Sequence, residues 1–404
     1  MKFLQTIFRG RHSFLFGVAF TLCLLLSAGG LWWYLRPATP DFEITDQLGG
    51  NLFPSAVLAV ATTGAEIVAP ADTFYVGNPK SCFAVRVRSP RQNCPIRVTL
   101  EQTAFFSRSV SEFVLPEAGV EYTVYPEVLW NYDRLQQNRQ AQPVDIVVSV
   151  ELAGRDCGRQ LRTFSVRGIN ECLLGYVQQL PGGKTRFRST KQLFAAYVNE
   201  DNPQIDALLR EALNTRLVRR FQGYQLGGGK AVDDQVFALW YVLQQRNFRY
   251  SSISNSSLSS NVAYSQRVRT FSAALQSSQI NCVDGSALFA SLLRAINITP
   301  VLVKLPGHMF VGYYDDVART KLTFLETTMI GDVDLDEYFP EEKLDSTIQG
   351  LTRKQASRIT FDKSKEYAER KYQQNRQAIE SGKTGYMMLE ISKRVRRDIQ
   401  PLAQ

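Results

Sequence analysis

Asn281-Cys282-Val283-Asp284-Gly285-Ser286-Ala287-Leu288-Phe289-Ala290-Ser291-Leu292-Leu293-Arg294 is followed by His308-Met309-Phe310-Val311-Gly312-Tyr313-Tyr314 and then by Lys321-Leu322-Thr323-Phe324-Leu325-Glu326-Thr327. In the first run Leu288, Leu292 and Ala295 recur at helical spacing behind a polar opening, and Phe289 widens the apolar face, which predicts a helix with Cys282 at or just before its N-terminus. Unpaired N–H groups and the positive end of the helix dipole favour a thiolate over a thiol at such a position. The thiolate is the form that attacks a carbonyl carbon. Asn297-Ile298-Thr299-Pro300 closes the helix, because proline cannot continue it and biases its predecessor to extended backbone. Residues 301–303 then read as a strand, 308–314 as a second after the turn Pro306-Gly307, and 321–327 as a third. A hairpin centred on Val317 puts Glu326 directly across from His308, where Cβ atoms lie within about 5.5 Å. A carboxylate there fixes the imidazole tautomer and leaves the other ring nitrogen to take the thiol proton. Cys282, His308 and Glu326 are the candidate catalytic residues. Gln266, Gln276 and Gln279 are candidate oxyanion donors beside a backbone N–H near Cys282, and the sequence does not choose among them.

Cysteine on a helix, then histidine and an acid on successive strands, resembles the transglutaminase-like superfamily, a branch of the papain-like cysteine fold. The matching residues are Asn281-Cys282-Val283-Asp284-Gly285, Leu293-Arg294-Ala295-Ile296-Asn297-Ile298-Thr299-Pro300, Pro306-Gly307-His308-Met309-Phe310 and Leu325-Glu326-Thr327-Thr328. The resemblance covers roughly residues 230 to 330. The chain departs from the family in its acid, Glu326 where aspartate is usual, and in Phe310 where tryptophan is common. The resemblance implies acyl transfer on an amide: hydrolysis of a peptide or isopeptide bond, or exchange to another amine. The other reading of the same fold is a non-catalytic peptide-binding or assembly protein of the cell envelope.

With 404 residues, 44% of them hydrophobic and 21% charged, the chain has the composition of an ordinary globular protein of two or three domains. Residues 13–35 carry no charge and are long enough to cross a bilayer core of about 30 Å. Lys2, Arg9 and Arg11 precede that run, so the positive-inside bias predicts a single-pass anchor with a cytoplasmic N-terminus. A cleaved signal peptide is the rival, but its apolar core should be shorter. This places the bulk of the chain in the periplasm, or otherwise outside the cytoplasm, at a bacterial inner membrane. Four cysteines, Cys82, Cys94, Cys157 and Cys172, then suggest two bridges with three possible connectivities; the local pairs, Cys82 with Cys94 and Cys157 with Cys172, are preferred. Cys282 is left as the exported cysteine without a partner.

Short runs between 51 and 175, among them Ala56-Val57-Leu58-Ala59-Val60, Phe83-Ala84-Val85-Arg86-Val87 and Ile96-Arg97-Val98-Thr99-Leu100, read as strands and predict an immunoglobulin-like β-sandwich. From 182 on, helical spacing takes over at 190–198, 204–213 and 232–243, with a charged helix at 364–379 and a last strand at 386–391. The expected architecture is α+β: residues 1–40 a tail and transmembrane helix, 41–178 the sandwich, and 179–404 a transglutaminase-like domain ending in a helix and strand.

No cofactor is expected. Gly227-Gly228-Gly229-Lys230 lacks the earlier glycine of a phosphate loop and is followed by Ala231 in place of a hydroxyl. The acidic run from Gly331 to Asp336 lacks the glycine and terminal glutamate of a calcium loop. A metal on Cys282 and His308 would need more ligands than the neighbourhood offers. Arg353, Lys354, Lys393, Arg394, Arg396 and Arg397 make the C-terminal part basic and contribute to the net charge of +9, which suits an anionic lipid or cell-wall surface. No nucleic-acid recognition motif is present. The expected partners are a peptide or protein substrate in the envelope and the membrane itself.

Overall fold

The computed structural model describes residues 42–403 except 71, 226, 252–259, 278 and 332–333. It is a mixed α and β structure. In the N-terminal part, a four-stranded sheet runs in the order Phe42–Asp46, Phe83–Arg88, Glu121–Tyr125, Tyr75–Gly77. A five-stranded sheet runs in the order Asn51–Leu52, Arg155–Val166, Gln142–Leu152, Cys94–Leu100, Ser109–Leu115. Period-two patterning drives both: Cys94, Ile96, Val98 and Leu100 point into the core while Pro95 and Arg97 point out. The sheets meet face to face, with Phe83 of one and Phe164 of the other 5.6 Å apart at their ring centres.

Three expectations fail here. Residues 56–60 do not form a strand but belong to the helix Pro54–Val60, buried on almost every side. Such a run has no polar face to set a period, and Pro54 in its first turn, with φ already near the helical value and no N–H to satisfy, decides for helix. The immunoglobulin-like arrangement also fails, since Tyr75–Gly77 pairs in parallel with Glu121–Tyr125, and Asn51–Leu52 in parallel with Arg155–Val166, where that fold uses antiparallel sheets. Finally, no disulfide links Cys82, Cys94, Cys157 and Cys172. Cys82 leads into a strand of one sheet, Cys94 and Cys157 lie in the other with the strand Gln142–Leu152 between theirs, and Cys172 lies in the strand Glu171–Gln179 of a third. All four are buried, and burial, with a smaller contribution from Asp46, pushes the Cys82 thiol up to about 12. They serve as small apolar side chains in the core.

The membrane expectation is corrected as well. Among the described residues no helix is long and apolar enough to cross a membrane, and the run 13–35 on which the anchor rested lies outside the described residues. The single-pass anchor and the inner-membrane, periplasmic placement that depended on it are withdrawn.

The strand Glu171–Gln179 lies between Thr185–Ser189 and Ala263–Arg267, both antiparallel to it. The helix Cys282–Ala295 is buried along nearly its whole length and packs on a four-stranded antiparallel sheet in the order Leu322–Leu325, His308–Tyr314, Pro300–Leu305, Met387–Glu390. The turn Pro306-Gly307 joins the middle pair, and Gly307 takes φ 74°, the left-handed value that the second central residue of a type II turn requires. The long helix Arg353–Glu380 covers the sheet's other face, where Tyr372 stacks on Phe324 at 4.3 Å. This helix starts a full eleven residues before the sequence reading placed it, at a capping box between Thr352 and Gln355. Arg396, expected on a basic surface, is half-buried and donates to the carbonyls of Ala195 and Val198. The tail also returns to the first half of the chain, Gln400 N–H donating to the Ala59 carbonyl at 2.8 Å.

Candidate functional site

Asn281 caps the Cys282–Ala295 helix reciprocally: its side chain accepts from Asp284 N–H at 2.8 Å, and the Asp284 carboxylate accepts from Asn281 N–H. Asp284 also accepts from Arg269 N–H at 2.8 Å. Burial raises the Asp284 pKa, and the Arg269 amide and charge act against that rise. Asn281 and Asp284 are thus structural, fixing the helix start so that Cys282 is its first residue. With Asp284 N–H donating to the Asn281 side chain and Gly285 N–H to the Asn281 carbonyl, the amides of Cys282 and Val283 have no intrahelical acceptor. They are the natural donors to an oxyanion forming at the sulfur.

His308 opens its strand, and its Nε2 donates to Glu326 Oε2 at 2.6 Å. The register differs from the sequence reading. Val311 faces Leu325 and Tyr314 faces Leu322, so the hairpin centres on Ala318 and the ladder ends at Leu325. Continued by one step, Phe310 would face Glu326 and His308 would be its diagonal neighbour. A shift of this size preserves the pleat, so histidine and acid stay on one face, but it stretches their Cβ separation from about 5.5 Å toward the diagonal 7–8 Å. The extra methylene of glutamate over aspartate spans that difference.

Glu326 is fully buried and its other oxygen is satisfied locally. Oε1 accepts from Thr328 N–H at 3.1 Å and from Thr328 Oγ1 at 2.8 Å, while Glu326 N–H donates to the Ser364 carbonyl at 3.3 Å. A buried carboxylate needs such partners. They also fix which of its oxygens faces the ring. Cys282 stands close enough to His308 to favour its charged form. With Nε2 committed to Glu326, Nδ1 is the nitrogen left for the sulfur. Burial by itself lowers the His308 pKa, but the hydrogen bonds and charges of Cys282 and Glu326 outweigh it and push the value up to about 10. A histidine raised in this way contributes stability that is complete below its ordinary 6.5 and is lost as pH rises through about 10.

Of the three glutamines, Gln276 and Gln279 are exposed. Gln266 is half-buried, its Nε2 donating to the Arg267 carbonyl at 3.1 Å. None replaces the two helix amides as oxyanion donor. Tyr250 also lies at the site: the short strand Arg249–Tyr250 pairs in parallel with Gln279–Ile280, which leads into Cys282. Burial, then the negative charges of Cys282 and Glu326, push its pKa up to about 12, so it keeps its proton and is available as a donor. A two-residue parallel bridge leaves no periodicity to read. Since Tyr250 stands beside Cys282, a residue only 7% exposed, Tyr250→Phe should raise the alkylation rate of Cys282 by iodoacetamide several-fold by removing a donor, about 1 kcal/mol. A stopped-time labelling series checks this, and an unchanged or slower rate means that the hydroxyl does not restrain the sulfur.

No protein-family model matches the chain, and neither the curated proteins nor the solved structures contain a match. The site therefore stands on its own geometry. Among the described residues no group of three or more His, Cys, Asp or Glu side chains is placed to hold a metal.

Proposed function

We propose that this chain is a cysteine-nucleophile enzyme of transglutaminase-like type that transfers an acyl group from an amide of a peptide or protein. The observation that carries the reading is His308 bonded through Nε2 to a fully buried, hydrogen-bonded Glu326, with Cys282, the first residue of its helix, near enough to favour the charged ring.

The chemistry follows from that arrangement. The Cys282 sulfur, its proton on His308 Nδ1, attacks the amide carbonyl carbon and forms a C–S bond while the carbonyl π electrons move onto oxygen. The amides of Cys282 and Val283 receive that oxyanion. As the C=O reforms, the C–N bond breaks and His308 gives its proton to the departing nitrogen, leaving a thioester. His308 then takes a proton from water or from a second amine as that nucleophile attacks the thioester carbon. The C–S bond breaks, and the sulfur leaves as thiolate beside a protonated His308. Glu326 keeps the ring in one tautomer throughout and balances its positive charge.

His308→Ala tests the reading without knowledge of the substrate. Iodoacetamide should modify Cys282 at neutral pH at least about 10²-fold more slowly in the variant, the lower end of what a positioned base contributes. Equal rates in the two proteins, with the modified residue confirmed by mass spectrometry, would leave only a non-catalytic peptide-binding role for the cleft. Capture with Cys282→Ala would then identify what that cleft holds.

A further inference from the structure

A cavity of about 500 Å³ is lined in part by Lys304, next to the turn that leads into the His308 strand, and takes no part in the chemistry just described. It lies between the strands Thr185–Ser189 and Ala263–Arg267 on one side and the segment leading into Met387–Glu390 on the other. Phe187, Tyr264 and Tyr386 supply aromatic walls, the first two packed edge to face at 5.8 Å. Its charged lining consists of Lys191, Lys304 and Lys383, with no aspartate or glutamate.

Lys304 connects the cavity to the site. It pairs with Met309 on one side and Met387 on the other, on the sheet face opposite the one that carries Leu305, His308 and Phe310. Met309 and its neighbours on that face join the same core as Leu288 and Leu292 of the Cys282 helix. Lys304 stands one ladder step from the Leu305–His308 pair, so the cavity it lines borders the histidine strand; burial lowers its pKa, and negative charge on Cys282 acts in the opposite direction. Its Nζ donates only to carbonyls at long range, Leu305 at 3.5 Å and Gly385 at 3.4 Å, and among the described residues no carboxylate acts on it. A part-buried ammonium without an acid partner beside an acid-free aromatic cavity is complementary to an anion. Lys191 and Lys383 are exposed to solvent, so the one part-buried charge, that of Lys304, matches one negative charge, as on a carboxylate, better than the nearly double charge of a phosphate.

We infer that this cavity is the substrate's specificity pocket and that Lys304 receives a carboxylate of the acyl substrate, an acidic side chain or free C-terminus next to the attacked amide. The inference rests on the acyl-transfer reading, and the test separates the two. Iodoacetate and iodoacetamide attack the same sulfur and differ in one negative charge. The ratio of their rates on Cys282 cancels any change in the thiol itself. Lys304→Met should lower the iodoacetate to iodoacetamide ratio by about three- to tenfold, the scale of one partly screened charge contact, and Lys304→Arg should retain it. Acetylated hexapeptides that differ only in a C-terminal acid against an amide, or in Glu against Gln, are then compared as protectors of wild-type Cys282 from iodoacetamide. Whichever acid form protects better than its neutral twin, in wild type but not in Lys304→Met, names the source of the carboxylate. If Cys282 reacts readily with both reagents yet the ratio is unchanged by Lys304→Met, or no acidic peptide protects better than its neutral twin, the pocket assignment is wrong while the enzyme reading survives. If neither reagent reacts beyond the His308→Ala background, the enzyme reading itself fails. Should Lys304→Met not fold, Lys304→Arg and the wild-type peptide pairs still decide.

Discussion

Glu326→Gln should lower acyl transfer about 10³- to 10⁴-fold with little change in fold, the scale of loss when the acid behind a catalytic histidine becomes an amide. The reason is local. In the wild type one carboxylate oxygen accepts twice from Thr328, from N–H and from Oγ1, and the other accepts from His308 Nε2. A glutamine must present its single oxygen to Thr328, because the Thr328 backbone N–H can only donate and would be left buried and unpaired beside an NH₂. The NH₂ then faces His308, whose Nε2 becomes an acceptor, and the ring proton moves to Nδ1, the nitrogen that should take the proton of the thiol. The wrong tautomer therefore follows from Thr328 rather than from any change in ring position. Thiol-ester formation with a generic acyl substrate, or iodoacetamide labelling where no substrate is in hand, checks the prediction. A loss of less than tenfold would mean that the carboxylate does not set the tautomer.

The second large effect is expected at Gly285. A Cβ built there would lie 2.9 Å from Thr327 Oγ1 and 3.1 Å from Thr327 Cβ, and Thr327 is fully buried next to Glu326, its hydroxyl 3.3 Å from that of Ser286. Glycine is thus what lets the Cys282 helix approach the loop that carries the acid. Gly285→Ala should drive helix and loop apart by a fraction of an ångström to about 1 Å, and a displacement of that size costs about 10² in rate. Stability should change less, because overpacking of about 1–3 kcal/mol is partly offset by the roughly 1 kcal/mol that alanine gains over glycine in a helix. Activity falling far more than melting temperature is the signature. Thr327→Ala added to Gly285→Ala should recover part of the rate, a coupling that a double-mutant cycle measures. If the two substitutions are additive, the close approach does not position the thiol.

How much of this was legible in the sequence divides along physical lines. The Cys282 helix and the His308 strand were, because each carries a strong period and clear stops: Asn281 before the helix, Pro300 after it, Pro306-Gly307 before the strand. Histidine and acid shared a face for a reason that survives an error in register, since sliding a hairpin centre by one residue leaves the pleat intact. What the sequence did not carry is whatever tertiary packing decides. Residues 54–60 are buried all round and show no period, so their apolar run reads as a strand while Pro54 makes it a helix. The cysteine pairing argument assumed an oxidising compartment from residues 13–35, which lie outside the described structure, and the four cysteines turned out to be buried without a bridge among them. Parity therefore does not single out Cys282; its neighbours do. Tyr250, Ser364 and Lys304 were missed, and Thr328 was quoted without its role, because each reaches the site through a contact, a two-residue bridge or a turn, that has no repeating pattern along the chain.

The most direct test is a titration of the His308 ring by nuclear magnetic resonance in the wild type, beside Cys282→Ala and Glu326→Gln. The wild-type ring should hold its proton to about pH 10, because the hydrogen bonds and charges of both partners favour the imidazolium against burial, and each variant should titrate at clearly lower pH. A wild-type midpoint near 6.5, indifferent to either substitution, would contradict the placement of this histidine between sulfur and carboxylate and with it the proposed chemistry.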